Sequence, residues 1–139
     1  MSDRSFIDTN VLVYAFDDAD PVKQERALQI MATAADGQIV LSTQILQEFY
    51  VTVTRKLRRP VPVERAAAAV AALARLNVVS VDSPMVLAAI ATHRRYQISL
   101  WDALVVEAAR AAGCARVWSE DLQSGMQIAG LAVENPFAT

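Results

Sequence analysis

Arg4-Ser5-Phe6-Ile7-Asp8-Thr9-Asn10-Val11-Leu12-Val13-Tyr14 is the stretch on which the reading of the fold turns. Residues 4–8 read as a short strand that ends on an aspartate, ahead of a second apolar run. An aspartate placed there has two uses. It N-caps the helix that follows, or it stands as an ionised ligand at the edge of a sheet, since the residues on both sides are apolar. Both readings are open at this point.

Working outward, four more β-type runs fall at about 38–42, 77–81, 115–119 and 131–134, alternating with helical stretches. Asp20-Pro21 is a cap-then-first-turn signal for a helix of about 21–35, ended near Gly37. Ser42 caps a helix to about Arg58, and Arg59-Pro60-Val61-Pro62 breaks it, making 58–62 the expected mobile loop. Further helices are expected at about 63–76, from Ser83-Pro84 to Tyr96, and from near Ser99 to Gly113. In the last of these, Trp101, Leu104, Val105, Ala108 and Ala112 follow helical spacing and predict a buried face. Strands alternating with helices predict one α/β domain over residues 1–139, with a parallel central sheet of about five strands and helices on both faces.

In such a sheet all strand C-terminal ends share one edge, where ligands bind. Four acids fall there: Asp8, Glu48 after the second strand, Asp102 in the first turn of its helix, and Asp121 after the run 115–119. Each has a structural use as well. Ser99 to Asp102 fits a capping box, Glu48 borders a buried helix face, and Asp121 adjoins Glu120, so either acid could be the fourth. Asp17, Asp18 and Asp20 read as turn and cap residues. Gathered at one edge, four carboxylates call for a hard divalent cation.

Bulk composition narrows the chemistry. The 139 residues hold one cysteine and one histidine, which excludes an intrachain disulfide, a thiolate zinc site and a two-histidine acid/base pair. The hydrophobic share of 54% is high, with apolar runs far shorter than the roughly 18 residues of a membrane span. With no signal-like segment, a cytoplasmic location is expected and a membrane role is not. Net charge is −2, so no global basic footprint marks a nucleic-acid binder. Arg55, Lys56, Arg58 and Arg59 nevertheless crowd together as candidate phosphate contacts, or as cations complementing a helix C-terminus.

Phe-Ile-Asp-Thr-Asn-Val-Leu-Val-Tyr, Leu-Gln-Glu-Phe, Trp-Asp-Ala-Leu-Val-Val-Glu-Ala-Ala, Ser-Glu-Asp-Leu-Gln-Ser-Gly and the late Asn-Pro-Phe occur in that order across the chain. Together they resemble the PIN-domain family, and within it the VapC-type toxins of toxin–antitoxin pairs. The resemblance implies Mg²⁺- or Mn²⁺-dependent hydrolysis of RNA by the quartet Asp8, Glu48, Asp102 and Asp121. It assigns Thr9, Asn10 and Ser119 as polar residues that shape the site. It further implies a homodimer and a cognate antitoxin whose segment covers the active-site groove.

Two other readings stand beside it. A PIN-like domain with a silent site would act by binding alone. A phosphoryl-transfer α/β domain would also end its first strand on an aspartate. It wants Asp-x-Asp where this chain has Asp8-Thr9-Asn10, or a late lysine where only Lys23 and Lys56 exist.

Overall fold

Every residue of two adjacent inner strands is buried, so both faces of the sheet are covered there. They are β1 (Ser5–Ile7) and β2 (Ile39–Ser42). Side chains alternate between faces along a strand, and an all-buried strand therefore needs a layer on each side. The computed structural model describes residues 4–122 and 125–138. Gln123 and Ser124 of the Ser-Glu-Asp-Leu-Gln-Ser-Gly stretch lie outside the described residues.

The remaining strands are β3 (Asn77–Val79), β4 (Arg116–Trp118), β5 (Gln127–Ile128) and β6 (Leu131–Glu134), in the sheet order β3-β2-β1-β4-β6-β5. All neighbours pair in parallel except β5 with β6. The sheet thus has six strands rather than about five. The sixth is a two-residue edge strand turned back on β6 through Ala129 and Gly130, both at positive φ.

The helices are α1 (Thr9–Tyr14), α2 (Pro21–Met31), α3 (Thr43–Arg55), α4 (Val63–Leu73), α5 (Ser83–Tyr96) and α6 (Leu100–Ala111). Their starts follow the capping logic of the sequence. Asp20 accepts from the Lys23 amide, Ser42 from Ile45 and Ser99 from Asp102. α5 is capped one residue earlier than expected, by Asp82. Three ends fall short by three residues or more: α2 passes into a 3₁₀ turn at Ala32–Asp36, α3 stops at Arg55 and α4 at Leu73. The expected mobile loop at 58–62 is tied down by the Val61 amide, which donates to the Val53 carbonyl at 2.8 Å.

One correction concerns α6. Leu104, Val105 and Ala108 are buried as expected, but Trp101 is 62% exposed. It sits in the first turn, whereas Leu104 packs with Ala89 of α5 and Val105 and Ala108 lie in the main core.

The chain runs from β1 outward through β2 to β3, then returns to β4 on the other side of β1. The topological switch point therefore lies between β1 and β4, and the Asp8 amide donates to the Trp118 carbonyl there at 3.0 Å. The core includes Phe6, Ile7, Leu12, Leu41, Ile45 and Phe49, all fully buried. Phe49 meets Phe16 edge to face, with ring centroids 5.0 Å apart. Phe49→Ala is expected to lower unfolding stability by about 3–5 kcal/mol. Val22→Ala, on an outer face of α2, should change it by less than about 0.5 kcal/mol. Urea melts of both variants check this, and equal losses would contradict the packing described.

Candidate active site

At the C-terminal edge of the sheet a cleft of about 560 Å³ opens beside the switch point. Its walls include Asp8, Glu48, Asp102 and Asp121, so the fold brings all four acids expected from sequence to one place. Each arrives on a different support. Asp8 ends β1 and caps α1, Glu48 lies on α3, Asp102 in the first turn of α6, and Asp121 follows β4.

Hydroxyl, amide and backbone groups hold these carboxylates in place. Asp8 is buried; its Oδ1 accepts from the Thr9 amide at 2.8 Å and its Oδ2 from the Ser119 hydroxyl at 2.8 Å. Ser119 Oγ in turn accepts from the amides of Asp121 and Leu122, fixing the turn after β4. The Thr9 hydroxyl donates to Glu48 Oε1 at 2.9 Å, and Asn10 Nδ2 to Asp121 Oδ2 at 2.7 Å. Thr9 is thus bonded to two acids of the quartet, Asp8 and Glu48, while the Asn10 and Ser119 side chains each donate to one. Asp8 does cap a helix, as its bland reading held, and lines the cleft as well.

Asp121 rather than Glu120 faces the cleft. Glu120 turns outward to Tyr14 and Lys23. Of the four clustered cations, Lys56 lines the cleft, while Arg58 and Arg59 border a separate small pocket with Asp18. Sequence reasoning missed Gln44, Gln47, Thr52 and the exposed Trp101 in the walls. Gln44 and Thr52 lie in no motif, Gln47 stands in Leu-Gln-Glu-Phe without a role assigned to it, and Trp101 was masked by its helical spacing.

Burial raises the Asp8 carboxyl to about 6, its bonds to Ser119 and Thr9 oppose this, and the charges of Asp121 and Asp102 add to it. Burial also raises Asp102, against the Ser99 hydrogen bond and with the charge of Asp121. Cys114 is buried and its thiol is pushed up to about 11, so it is not a nucleophile.

The donor set suits a hard cation in one particular way. Among the described residues no three Asp, Glu, His or Cys side chains are placed to hold one ion. Mg²⁺, however, usually keeps several waters and takes only one or two carboxylates. A cleft of this size, with mutually repelling acids and the unpartnered Gln44 Oε1 in its wall, fits a hydrated ion of that kind.

A family model for the PIN domain matches residues 5–124. The chain belongs to the PIN-domain family. Among solved structures it is similar to a toxin–antitoxin complex from Klebsiella pneumoniae (TM-score 0.71, 18% identity, 97% of this chain and 99% of that one). It is also similar to the sarcin–ricin loop cleaving toxin VapC20 of Mycobacterium tuberculosis (TM-score 0.64, 21% identity, 84% and 89%). A third is VapBC2 from Rickettsia felis bound to a promoter DNA fragment (TM-score 0.65, 18% identity, 94% and 97%). At these identities the likeness establishes the fold. A search of curated protein sequences found no match. The PIN architecture accounts for the mostly parallel sheet and for the acids meeting at its edge.

The raised Asp8 carboxyl has a consequence for stability. Its folded value, about 6, lies above the ordinary 3.8, so the native state keeps a proton that the unfolded chain has released. The associated stability is complete below about pH 4 and is lost as pH rises through about 6. In metal-free protein, wild type should lose about 3 kcal/mol relative to Asp8→Asn between pH 3 and 7, at 1.36 kcal/mol per unit. Urea melts across that range check it; a difference that does not vary with pH would show that Asp8 titrates normally.

Proposed function

We propose that this PIN-domain protein is a divalent-metal-dependent endoribonuclease, acting as the toxin of a VapBC-type pair. The observation that carries the reading is the convergence of Asp8, Glu48, Asp102 and Asp121 on one cleft from four distant segments. Its similarity to a VapC toxin and to toxin–antitoxin complexes supports it.

Asp8 and Asp102 would be the principal ligands of Mg²⁺ or Mn²⁺, with Glu48 and Asp121 completing the acidic wall. When bound, the ion supplies a nucleophilic water at neutral pH and offsets charge on the reacting phosphate. The chain's part is placement. Ser119 and the Thr9 amide orient Asp8, and Thr9 and Asn10 hold Glu48 and Asp121 at fixed positions. His93 is absent from the cleft walls and its ring faces the Ile98 carbonyl, so proton transfer falls to carboxylates and water. Lys56 at the rim is placed to meet a backbone phosphate. Trp101 presents an open ring beside Asp102 on which a base can stack. A homodimer and an antitoxin segment closing the cleft complete the reading.

The decisive experiment offers total cellular RNA and tRNA to purified protein with Mg²⁺, with Mn²⁺ and with chelator. Discrete metal-dependent products are expected, with chelator abolishing them. Folded Asp8→Asn and Asp102→Asn should lose more than about 100-fold in kcat/KM, beyond the usual effect of a supporting residue. Unchanged cleavage by Asp8→Asn would sink the site. A wild type that neither cuts RNA nor binds Mn²⁺ by calorimetry would favour the silent, binding-only PIN domain.

Trp101→Ala separates substrate binding from chemistry. Its KM for RNA should rise about tenfold, the equivalent of one lost base stack, with Mn²⁺ binding unchanged. An unaltered KM and cleavage pattern would remove Trp101 from the substrate path.

A further inference from the structure

Glu120 and Asp121 are consecutive acids after β4, and the structure sends them to opposite sides of the chain. Asp121 lines the cleft and receives the Asn10 amide. Glu120 faces outward, where Oε1 accepts from the Tyr14 hydroxyl at 3.1 Å and Oε2 from Lys23 Nζ at 2.5 Å. Lys23 Nζ also donates to Tyr14 Oη at 3.2 Å. It stands 4.8 Å and 5.3 Å from the ring centroids of Tyr14 and Phe137, which meet edge to face. The Asn135-Pro136-Phe137 segment is in turn fastened to α2, whose Arg26 Nε donates to the Pro136 carbonyl at 3.2 Å.

We propose that Lys23 is a positioning residue: its ion pair with Glu120, seated on Tyr14 and Phe137, decides which of the two adjacent acids faces the cleft. The consequence for metal binding rests on the nuclease reading above; the latch itself does not. Asn10 and Tyr14 are four residues apart and share one side of α1. That helix therefore grips the turn after β4 twice, through Asp121 inside the cleft and through Glu120 outside it. A one-residue slip of the turn would exchange the two acids. Glu120 is longer by one methylene than the Asp121 that Asn10 now holds at 2.7 Å, so the exchanged site would be looser. Lys23 opposes the slip because only Glu120 in its present place reaches both the ammonium and the Tyr14 hydroxyl. The bond to Glu120, and then that to Tyr14, raise the Lys23 pKa, so the latch keeps its charge across the physiological range. Lys23 is not among the residues lining the cleft, and it acts through Glu120.

Hydrogen exchange on the metal-free protein tests the latch directly. Lys23→Met should speed exchange of the Asp121 and Leu122 amides, which now donate to Ser119, while Lys23→Arg restores protection. Calorimetry with Mn²⁺ tests its consequence. Lys23→Met should weaken binding about tenfold, as loss of a supporting residue does. Glu120→Gln should weaken it by a similar factor, and the double variant no further, because both act through one contact. Asp121→Asn should weaken it more than any of these. Wild-type exchange at Asp121 and Leu122 in Lys23→Met would overturn the proposal, as would Glu120→Gln losing Mn²⁺ as completely as Asp121→Asn. If wild type takes up no Mn²⁺, the metal-nuclease reading falls, and the exchange result alone upholds or overturns the latch.

Discussion

The burial of one carboxylate at the end of the central strand is the constraint on which the rest of the site depends. Asp8 follows β1, whose neighbours β2 and β4 leave it at the switch point of the sheet, and it is only 6% exposed. A group so placed is costly to ionise unless donors or a cation surround it. The chain supplies two donors, the Thr9 amide and the Ser119 hydroxyl, which is fewer than full solvation would give. The carboxyl is accordingly raised rather than lowered. The fold keeps a poorly solvated acid at its centre, a cost to stability that a cation in the cleft would relieve.

The same economy governs the other acids. Thr9 bonds Asp8 through its amide and Glu48 through its hydroxyl, and Asn10 next to it bonds Asp121. Two consecutive residues at the start of α1 thus set three acids drawn from β1, α3 and the turn after β4. Asp102 stands slightly apart, on the α6 first turn capped by Ser99. The exposed Trp101 beside it adds an aromatic face to the cleft.

Much of this was legible in the sequence, because strands alternating with capped helices leave few arrangements open. The position of Asp8, the parallel sheet and the shared edge follow from period and punctuation, and the ordered motifs narrow them to one family. The misses have physical causes. β5 is two residues long and carries no period. Trp101 keeps helical spacing but stands in the first turn of α6 at the open cleft. Lys56 reaches the cleft while Arg58 and Arg59 do not, because α3 ends at Arg55 and the chain turns away. Whether Glu120 or Asp121 belongs to the cleft depends on Lys23, 97 residues from Glu120, which no local pattern reveals.

The bond between Asp8 and Ser119 joins residues 111 positions apart. β1 can receive its β4 neighbour only after the chain through Trp118 has been made. Contacts of such long range also form late in folding, after the loop entropy between them has been overcome. A nascent chain therefore carries three of the four acids without a cleft to gather them in. The acidic cleft therefore comes into being only once β4 and the turn after it have been made.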